Sequence, residues 1–402
     1  MRILILTQYY PPEVGAAQFR LSAFASELHR AGHEVDVVTA LPNYPEGRLD
    51  PADRLTPMRR ELIGGIGVTR MWLYPATGAG TRRLASYVSF AATGLVGAIA
   101  GQRPDVVFVE SPPLFLGPAG WLAAKRFGAA FVLNVSDLWP DSVRALGLMR
   151  DGPLLRAAER LEGWLYRRAE AVTAVTDGIR DRLLSIKGVP EKRVLFLPNG
   201  IDTQTFQSVE LVRRPNGGRT TILFTGNHGY AQGLDVILNA ATIVQNVDFV
   251  LVGSGSEKSR LEKMAADRDL TNVHFLPPMS PGEVAGLYAS ATAGIVSLRD
   301  SPLMQGARPA KMLAIMACAR PVLYSGAGEG AALIDRARAG IVTPPGDAEA
   351  LARAARAIVE DPRFAAAMGA NGRRFVEREL SWPALVDSWL AQLDVALQGG
   401  RP

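Results

Sequence analysis

Short runs of β-branched and apolar residues alternate with helix-length amphipathic segments from one end of this 402-residue chain to the other. That is the pattern of parallel sheets covered by helices on both faces. In the first half, residues 3–6 read as a strand, 11–17 as a loop, 19–30 as a helix ended by Gly32, and 35–39 as the next strand. Strands at 106–109, 131–135, 171–175 and 194–197 continue the series. The alternation restarts with a strand at 221–224, a glycine loop at 226–233, a helix over 234–244 and a strand at 248–252, then strands at 273–276, 293–297 and 321–324. Residues 206–219 are polar, glycine-rich and without periodicity, as a linker is. The expected organisation is a first domain over 1–205, this linker, a second domain over 220–380, and a C-terminal helix and tail over 381–402. Each half opens with the strand, glycine loop and helix start of a nucleotide-binding unit. This predicts an α/β fold of two facing Rossmann-like domains, with ligands in the cleft at the strand ends.

Composition narrows the chemistry. A chain that is 48% hydrophobic and 21% charged can build ordinary cores. Its one cysteine, Cys318, cannot form an intramolecular disulfide, and His29, His33, His228 and His274 are scattered, so a disulfide scaffold and a zinc cluster are excluded. Only four apolar residues precede Thr7, too few for a signal peptide, and the start reads as a first strand of a cytoplasmic protein.

Net charge changes the picture by its placement. Residues 1–200 carry 24 Lys and Arg against 19 Asp and Glu, which accounts for the whole +5, whereas 201–402 balance at 20 against 20. Arg54, Arg59, Arg60, Arg70, Arg82 and Arg83 face only Asp53 and Glu61 within 51–100, and they flank the uncharged stretch 84–100. Its 17 residues fall short of the ~20 a spanning helix needs. The readings are a helix buried in the domain, a surface resting on an anionic membrane with arginines toward the headgroups, and, last, a true span. None favours a nucleic acid.

Five motifs carry candidate chemistry. The loop Gly226-Asn227-His228-Gly229-Tyr230-Ala231-Gln232-Gly233 lies between a strand and a helix, where glycines let backbone amides approach an anion. Val252-Gly253-Ser254-Gly255 is a second such loop. In the first half, Pro11-Pro12-Glu13-Val14-Gly15 follows the first strand, and Asp137 closes the apolar strand before it, where a carboxylate can meet sugar hydroxyls or cap a helix. Arg308-Pro309-Ala310-Lys311 opens a helix; cations there oppose the helix dipole unless a pyrophosphate meets them.

Together these motifs resemble the family 4 glycosyltransferases, retaining enzymes of the GT-B fold, and most of all the bacterial branch that adds amino sugars during surface-polysaccharide assembly. The resemblance runs through Tyr10-Pro11-Pro12-Glu13, Gly32-His33-Glu34-Val35, Leu41-Pro42-Asn43-Tyr44-Pro45, Ser136-Asp137-Leu138-Trp139-Pro140, Pro198-Asn199-Gly200-Ile201-Asp202, Gly226-Asn227-His228-Gly229, Gln232-Gly233-Leu234-Asp235, Pro309-Ala310-Lys311 and Ala317-Cys318-Ala319-Arg320-Pro321-Val322. It implies a nucleotide-diphosphate sugar, UDP-linked and carrying an N-acetylated or deoxy amino sugar, bound mainly by the second domain. A glycan or polyprenyl-diphosphate-linked acceptor is bound mainly by the first, and no metal or other cofactor is needed. The implied residues are Asp137, Arg308 and Lys311 in catalysis; Gly15, Gly226, Asn227, His228, Gly229, Gln232, Gly253, Met312 and Glu329 at the donor; and Glu13, Asn43, Glu110 and Trp139 at the acceptor. The family's usual pair of glutamates is absent, Gly306 and Ala314 standing in their places. Asn227, Gln232 and Ser136 replace its usual Arg, Lys and His, and Glu329 is the substitute ribose ligand by position. These departures keep two alternatives open: a catalytically silent relative that partners an active transferase, and a sugar-nucleotide epimerase.

Overall fold

The computed structural model describes every residue except 14, 79, 146–150, 208–219, 302–303 and 399–402. The chain divides into two compact units, Met1–Pro198 with Leu385–Pro402, and Asn199–Ala384. Most of the expected linker, residues 208–219, lies outside the described residues.

The first unit contains, in chain order, β1 (Arg2–Leu6), α1 (Ala16–Arg30), β2 (Glu34–Ala40), β3 (Met58–Ile63), β4 (Ile66–Met71), α2 (Thr81–Ile99), β5 (Val106–Ser111), α3 (Leu116–Phe127), β6 (Ala130–Val135), α4 (Trp139–Ala145), α5 (Pro153–Arg168), β7 (Ala171–Ala174), α6 (Asp177–Ser185) and β8 (Val194–Phe196). Its sheet order is β3-β4-β2-β1-β5-β6-β7-β8, parallel except for β3 against β4. The central strands are nearly continuous apolar runs because helices cover both faces of the sheet; β5, VVFVES, is buried at every position.

In the second unit follow β9 (Thr220–Thr225), α7 (Asp235–Ile243), β10 (Val247–Val252), α8 (Lys258–Ala266), β11 (Val273–Leu276), α9 (Pro281–Ser290), β12 (Ala293–Ser297), α10 (Ala310–Ala317), β13 (Val322–Ser325), α11 (Glu329–Ala337), β14 (Gly340–Thr343), α12 (Ala348–Glu360), α13 (Pro362–Phe375) and α14 (Trp382–Gln398). The sheet order is β11-β10-β9-β12-β13-β14. Local caps start two of these helices: Ser280 and Glu283 form a reciprocal capping box on α9, and Asp347 caps α12. From Leu385 onward α14 belongs to the first unit. There Trp389, with no exposed surface, packs edge-on against Phe24 and Phe108 (ring centroids 5.0 and 5.6 Å) and donates its indole N–H to the Thr173 hydroxyl at 3.1 Å.

Three strands are additional to the sequence reading: β14 and the hairpin β3–β4, which turns at Gly64-Gly65 with left-handed φ of 58° and 85°. The hairpin rewrites the basic cluster. Arg70 lies in β4 with 1% of its surface exposed, paired with Glu61 and donating to the Pro11 carbonyl. Arg59 pairs with Asp53 at 2.7 Å. Arg83 points inward, donating to the Tyr9 and Tyr87 hydroxyls and the Ala76 carbonyl. Half of the six arginines are thus structural, and Arg54, Arg60 and Arg82 are the exposed ones.

The uncharged stretch forms the body of α2. Ser86, Phe90, Gly94, Gly97 and Ala98 turn inward, whereas Ala85, Val88, Ala92, Val96 and Ile99 form an exposed stripe. Among the described residues no helix is long and apolar enough to cross a membrane.

Candidate functional site

In the second unit the sheet's first strand, β9, delivers the chain to the loop 226–233, and the two glycine loops lock together. Gly226 sits at φ 116° and Gly253 at φ 142°; a Cβ on Gly253 would stand 1.9 Å from the Gly226 carbonyl oxygen, so only glycine fits. The Gly226 N–H donates to the Val252 carbonyl, the His228 N–H to the Ser254 carbonyl (2.8 Å), and the Gly229 N–H to the Gln232 side-chain oxygen (3.2 Å). This corrects the expected anion cradle. The amides of Gly226, His228 and Gly229 are engaged inside the protein, and Gln232 closes the turn instead of reaching outward.

The charge the loop presents comes from a side chain. Lys311, in the first turn of α10, places its ammonium 3.9 Å from the centroid of the Phe224 ring and 3.4 Å from where a Cβ on Gly226 would stand. No ion pair holds it among the described residues, and burial alone pushes its pKa down to about 8. His228 is fully buried beside Phe224 and Phe275; burial, then the charges of Lys258 and Lys311, lower its pKa, so it is a neutral ring in the floor of the loop. Arg308 stands three residues before Lys311, at the entry to α10. Asn227 lies exposed in the loop, its amide 2.7 Å from where a Gly229 Cβ would stand.

Met312 has no exposed surface; its side chain belongs to the core and is not presented to a ligand. Ala314 is buried in α10. Glu329 opens α11, and its carboxylate stands 3.9 Å from where a Cβ on Gly306 would be, with its backbone N–H on the Gln305 carbonyl at 2.7 Å. Glu329 therefore occupies the neighbourhood of the first missing glutamate, at 306.

In the first unit, the loop between β1 and α1 carries Glu13, and the turn after β2 carries Asn43. They are one structure: Glu13 Oε1 accepts from the Asn43 backbone N–H (2.9 Å), the Asn43 side-chain amide (3.2 Å) and the Tyr44 N–H (3.0 Å). Asn43, 3% exposed, is a clamp on Glu13 and not a group offered to a ligand. Burial pushes the Glu13 pKa up, against the amides of Asn43, Tyr44 and Tyr10 and the charge of Arg70.

Glu110, at the end of β5, is likewise committed: 1% exposed, it is paired with Arg20 and accepts from Asn134 and from Ser136 Oγ (2.6 Å). Asp137 is half-buried beyond β6 and accepts from the Ser142 hydroxyl, while Trp139 packs its ring against Phe115 at 6.4 Å. Gly15 has an extended φ of −178° and would accept a Cβ without meeting any atom within 4 Å, so the fold itself does not require glycine there.

Sequence reasoning missed a group that the structure assembles around Glu13: Tyr9, Gln18, Tyr44, Arg83 and Tyr87 line one cavity of about 290 Å³ with it. It also missed Phe224 beneath Lys311 and the exposed Tyr230, whose ring carries the Arg299 guanidinium at 4.4 Å. The paired tyrosines before Pro11 were the available signal; Arg83 was hidden inside an apparent surface patch. Among the described residues no group of three or more His, Cys, Asp or Glu is arranged to hold a metal ion.

Known proteins supply the comparison. Residues 15–200 match the model of the glycosyl transferase 4-like domain and residues 219–361 that of the glycosyl transferases group 1. WcaI of Escherichia coli (strain K12), whose name places it in glycosyl transfer for colanic acid biosynthesis, is 29% identical over 333 residues, 79% of this chain and 81% of its own. Among solved structures, sucrose-phosphate synthase from Thermosynechococcus elongatus superposes with a TM-score of 0.73 at 19% identity, covering 100% of both chains. HepE of Anabaena, solved with UDP and glucose, does so at 0.68 and 18% identity, covering 98% of this chain and 99% of its own.

Proposed function

This chain belongs to the family 4 glycosyltransferases of the GT-B fold, and from that premise we propose that it transfers an N-acetylated or deoxy amino sugar from a UDP-linked donor to a surface-polysaccharide acceptor, with retention of configuration. The observation that carries this is the Lys311 ammonium, held over an aromatic ring beside the glycine loop without a carboxylate partner. A cation in that setting loses solvation and recovers only the attraction of the Phe224 ring in its place. A diphosphate supplies the missing charge.

In the proposed reaction the C1–O bond to the diphosphate breaks while an acceptor hydroxyl attacks on the same face of the sugar, and its proton passes to the leaving phosphate oxygen. No separate protein base or resident metal is needed; stabilising the departing diphosphate is the task, and Lys311 with Arg308 performs it. Glu329 takes the donor hydroxyls that the glutamates absent at 306 and 314 would hold. Asp137 serves on the acceptor side. Calorimetric titration with UDP-, GDP- and dTDP-sugars tests the reading: UDP-sugars bind best, and absence of binding by all three classes at millimolar concentration contradicts it. Donor binding without transfer to any glycan acceptor would favour the silent relative, which the missing glutamates support.

The acceptor is proposed to be lipid-linked and met at the cytoplasmic membrane surface. What supports this is a shared side of the first unit. Pairing of Met58 with Met71 puts Met58, Arg60 and Leu62 on the sheet face that α2 covers, and Leu62 is 74% exposed. The α2 stripe, with Arg82 at its start, adds apolar surface free of charge. Co-sedimentation with vesicles containing anionic lipid is expected to fall on neutralising Arg54, Arg60 and Arg82 together, or in 1 M salt, where the Debye length is about 3 Å. Binding unchanged by both leaves α2 as an ordinary covering helix.

A further inference from the structure

We propose that Lys258 is a positioning residue for the diphosphate: from the start of α8 it pins the second glycine loop to the first and so sets the seat of the Lys311 ammonium. This rests on the reading of Lys311 as the group that meets a donor diphosphate, and it adds the residue that holds that group's surroundings in place.

Nothing local favours a lysine at this position. Lys258 is the first residue of α8, where a cation opposes the helix dipole, as Lys311 does at α10. Glu257, at the N-cap, is spent on Arg260 at 2.7 Å, and the pair of Lys258 with Glu262 is long, at 4.0 Å. The contact that accounts for Lys258 is tertiary. Its partly buried ammonium donates to the Gly253 carbonyl at 3.0 Å and to the Leu276 carbonyl at 3.1 Å. Val252 and Leu276 are the last paired residues of β10 and β11, so one side chain ties two strand ends together at the place where the second loop begins. A local cost with a specific tertiary contact against it is the mark of a position shaped by a site.

From Gly253 the contact passes to the first loop. Gly253 is pressed on the Gly226 carbonyl too closely for any Cβ, and at Gly255 a Cβ would stand 2.4 Å from Asn227 Oδ1 and 2.5 Å from the His228 carbonyl oxygen. Backbone bonds close the seam: Gly226 N–H to Val252, His228 N–H to Ser254, and Glu257 N–H back to His228 at 2.9 Å. The two loops are therefore one body, and Lys258 is its fastening to the sheet. Gly226, together with the Phe224 ring, is in turn what the Lys311 ammonium rests on. No carboxylate fixes Lys311 among the described residues, so these two surfaces decide where its charge stands. A shift of about 1 Å in such a group is enough to cost up to ~100-fold.

The test compares wild type, Lys258→Met and Lys258→Arg as full-length proteins, titrated calorimetrically with UDP and with inorganic pyrophosphate below the melting temperature of each. Lys258→Met keeps the stem and loses the donors, and it is expected to weaken both ligands about tenfold, whereas Lys258→Arg, whose guanidinium can donate to two carbonyls, stays within about threefold of wild type. Hydrogen exchange of the ligand-free proteins reads the fastening itself: the Gly226 and His228 amides exchange about tenfold faster in Lys258→Met and at the wild-type rate in Lys258→Arg. The inference alone is overturned if wild type binds and Lys258→Met binds equally well, if Lys258→Arg is as weak as Lys258→Met, or if exchange is the same in all three. Wild-type protein that binds neither UDP nor pyrophosphate overturns the diphosphate reading and this inference with it.

Discussion

The loops that follow the first strand of each unit occupy the same place in two similar sheets and carry opposite chemistry. β1 lies between β2 and β5, and β9 between β10 and β12, so each loop leaves the middle of a parallel sheet at its C-terminal edge. The first holds the buried carboxylate of Glu13, its proton affinity raised by burial; the second holds the ammonium of Lys311, its proton affinity lowered by the same cause. In folds of this kind ligands meet the chain at the strand ends, and the proposed reading assigns the phosphates to the side of Lys311.

The most severe way to break the contrast is Gly253→Ala. It forces a left-handed backbone position to carry a Cβ 1.9 Å from the Gly226 carbonyl. Strain and overpacking together are expected to cost about 2–5 kcal/mol, read by chemical denaturation of the second unit. Lys311→Met comes next. Loss of a charged contact of ~1.5–3 kcal/mol weakens UDP about 10- to 150-fold in a calorimetric titration. The same variant removes an unpaired buried cation, so the ligand-free protein is no less stable and its melting temperature rises by ~2–4 °C for each kcal/mol relieved.

A third effect is on pH. The folded pKa of Lys311 lies below that of the unfolded chain, so its ammonium burdens the ligand-free fold below pH 8, and stability recovers as pH rises toward the unfolded value. Diphosphate reverses the preference, so UDP binding takes up a proton near pH 8 and weakens as pH rises beyond it, in wild type and not in Lys311→Met. The smallest effect belongs to the carboxylate loop. Glu13 has a folded pKa above its unfolded one, so the protonated form favours folding and the contribution is lost as pH rises through the folded pKa. Glu13→Gln is expected to flatten that part of the melting-temperature profile, which begins above the ordinary carboxylate range, and to change neutral-pH stability little.

Much of the fold was legible because buried parallel strands are written as short apolar runs: β1, β6, β10 and β12 all fall within a residue or two of their expected places. β3 was not, because in this edge strand exposure alternates while the residues do not: Arg59, Arg60 and Glu61 run together between Met58 and Leu62, and the run reads as a basic surface. Charge counting gave the number of arginines in 51–100 but not their fates, since Arg70 and Arg83 are held by a carbonyl and by hydroxyls that only the tertiary fold brings near. Lys311 was legible as a cation that opposes a helix dipole. Glu13 and Asn43 were legible as candidates but not as partners: the bond between them joins loops 30 residues apart. Met312 and Glu110 were misjudged for the same reason, because sequence position shows nearness to a site and not the direction of a side chain.

The central claim, that Lys311 is the group that receives the donor diphosphate, is tested most directly by calorimetric titration of UDP at pH 8 in two buffers of different ionisation enthalpy, for wild type and Lys311→Met. The account predicts binding with net proton uptake by wild type, and for the variant an affinity at least tenfold lower with no uptake. Equal affinity and equal proton uptake in the two proteins would contradict it.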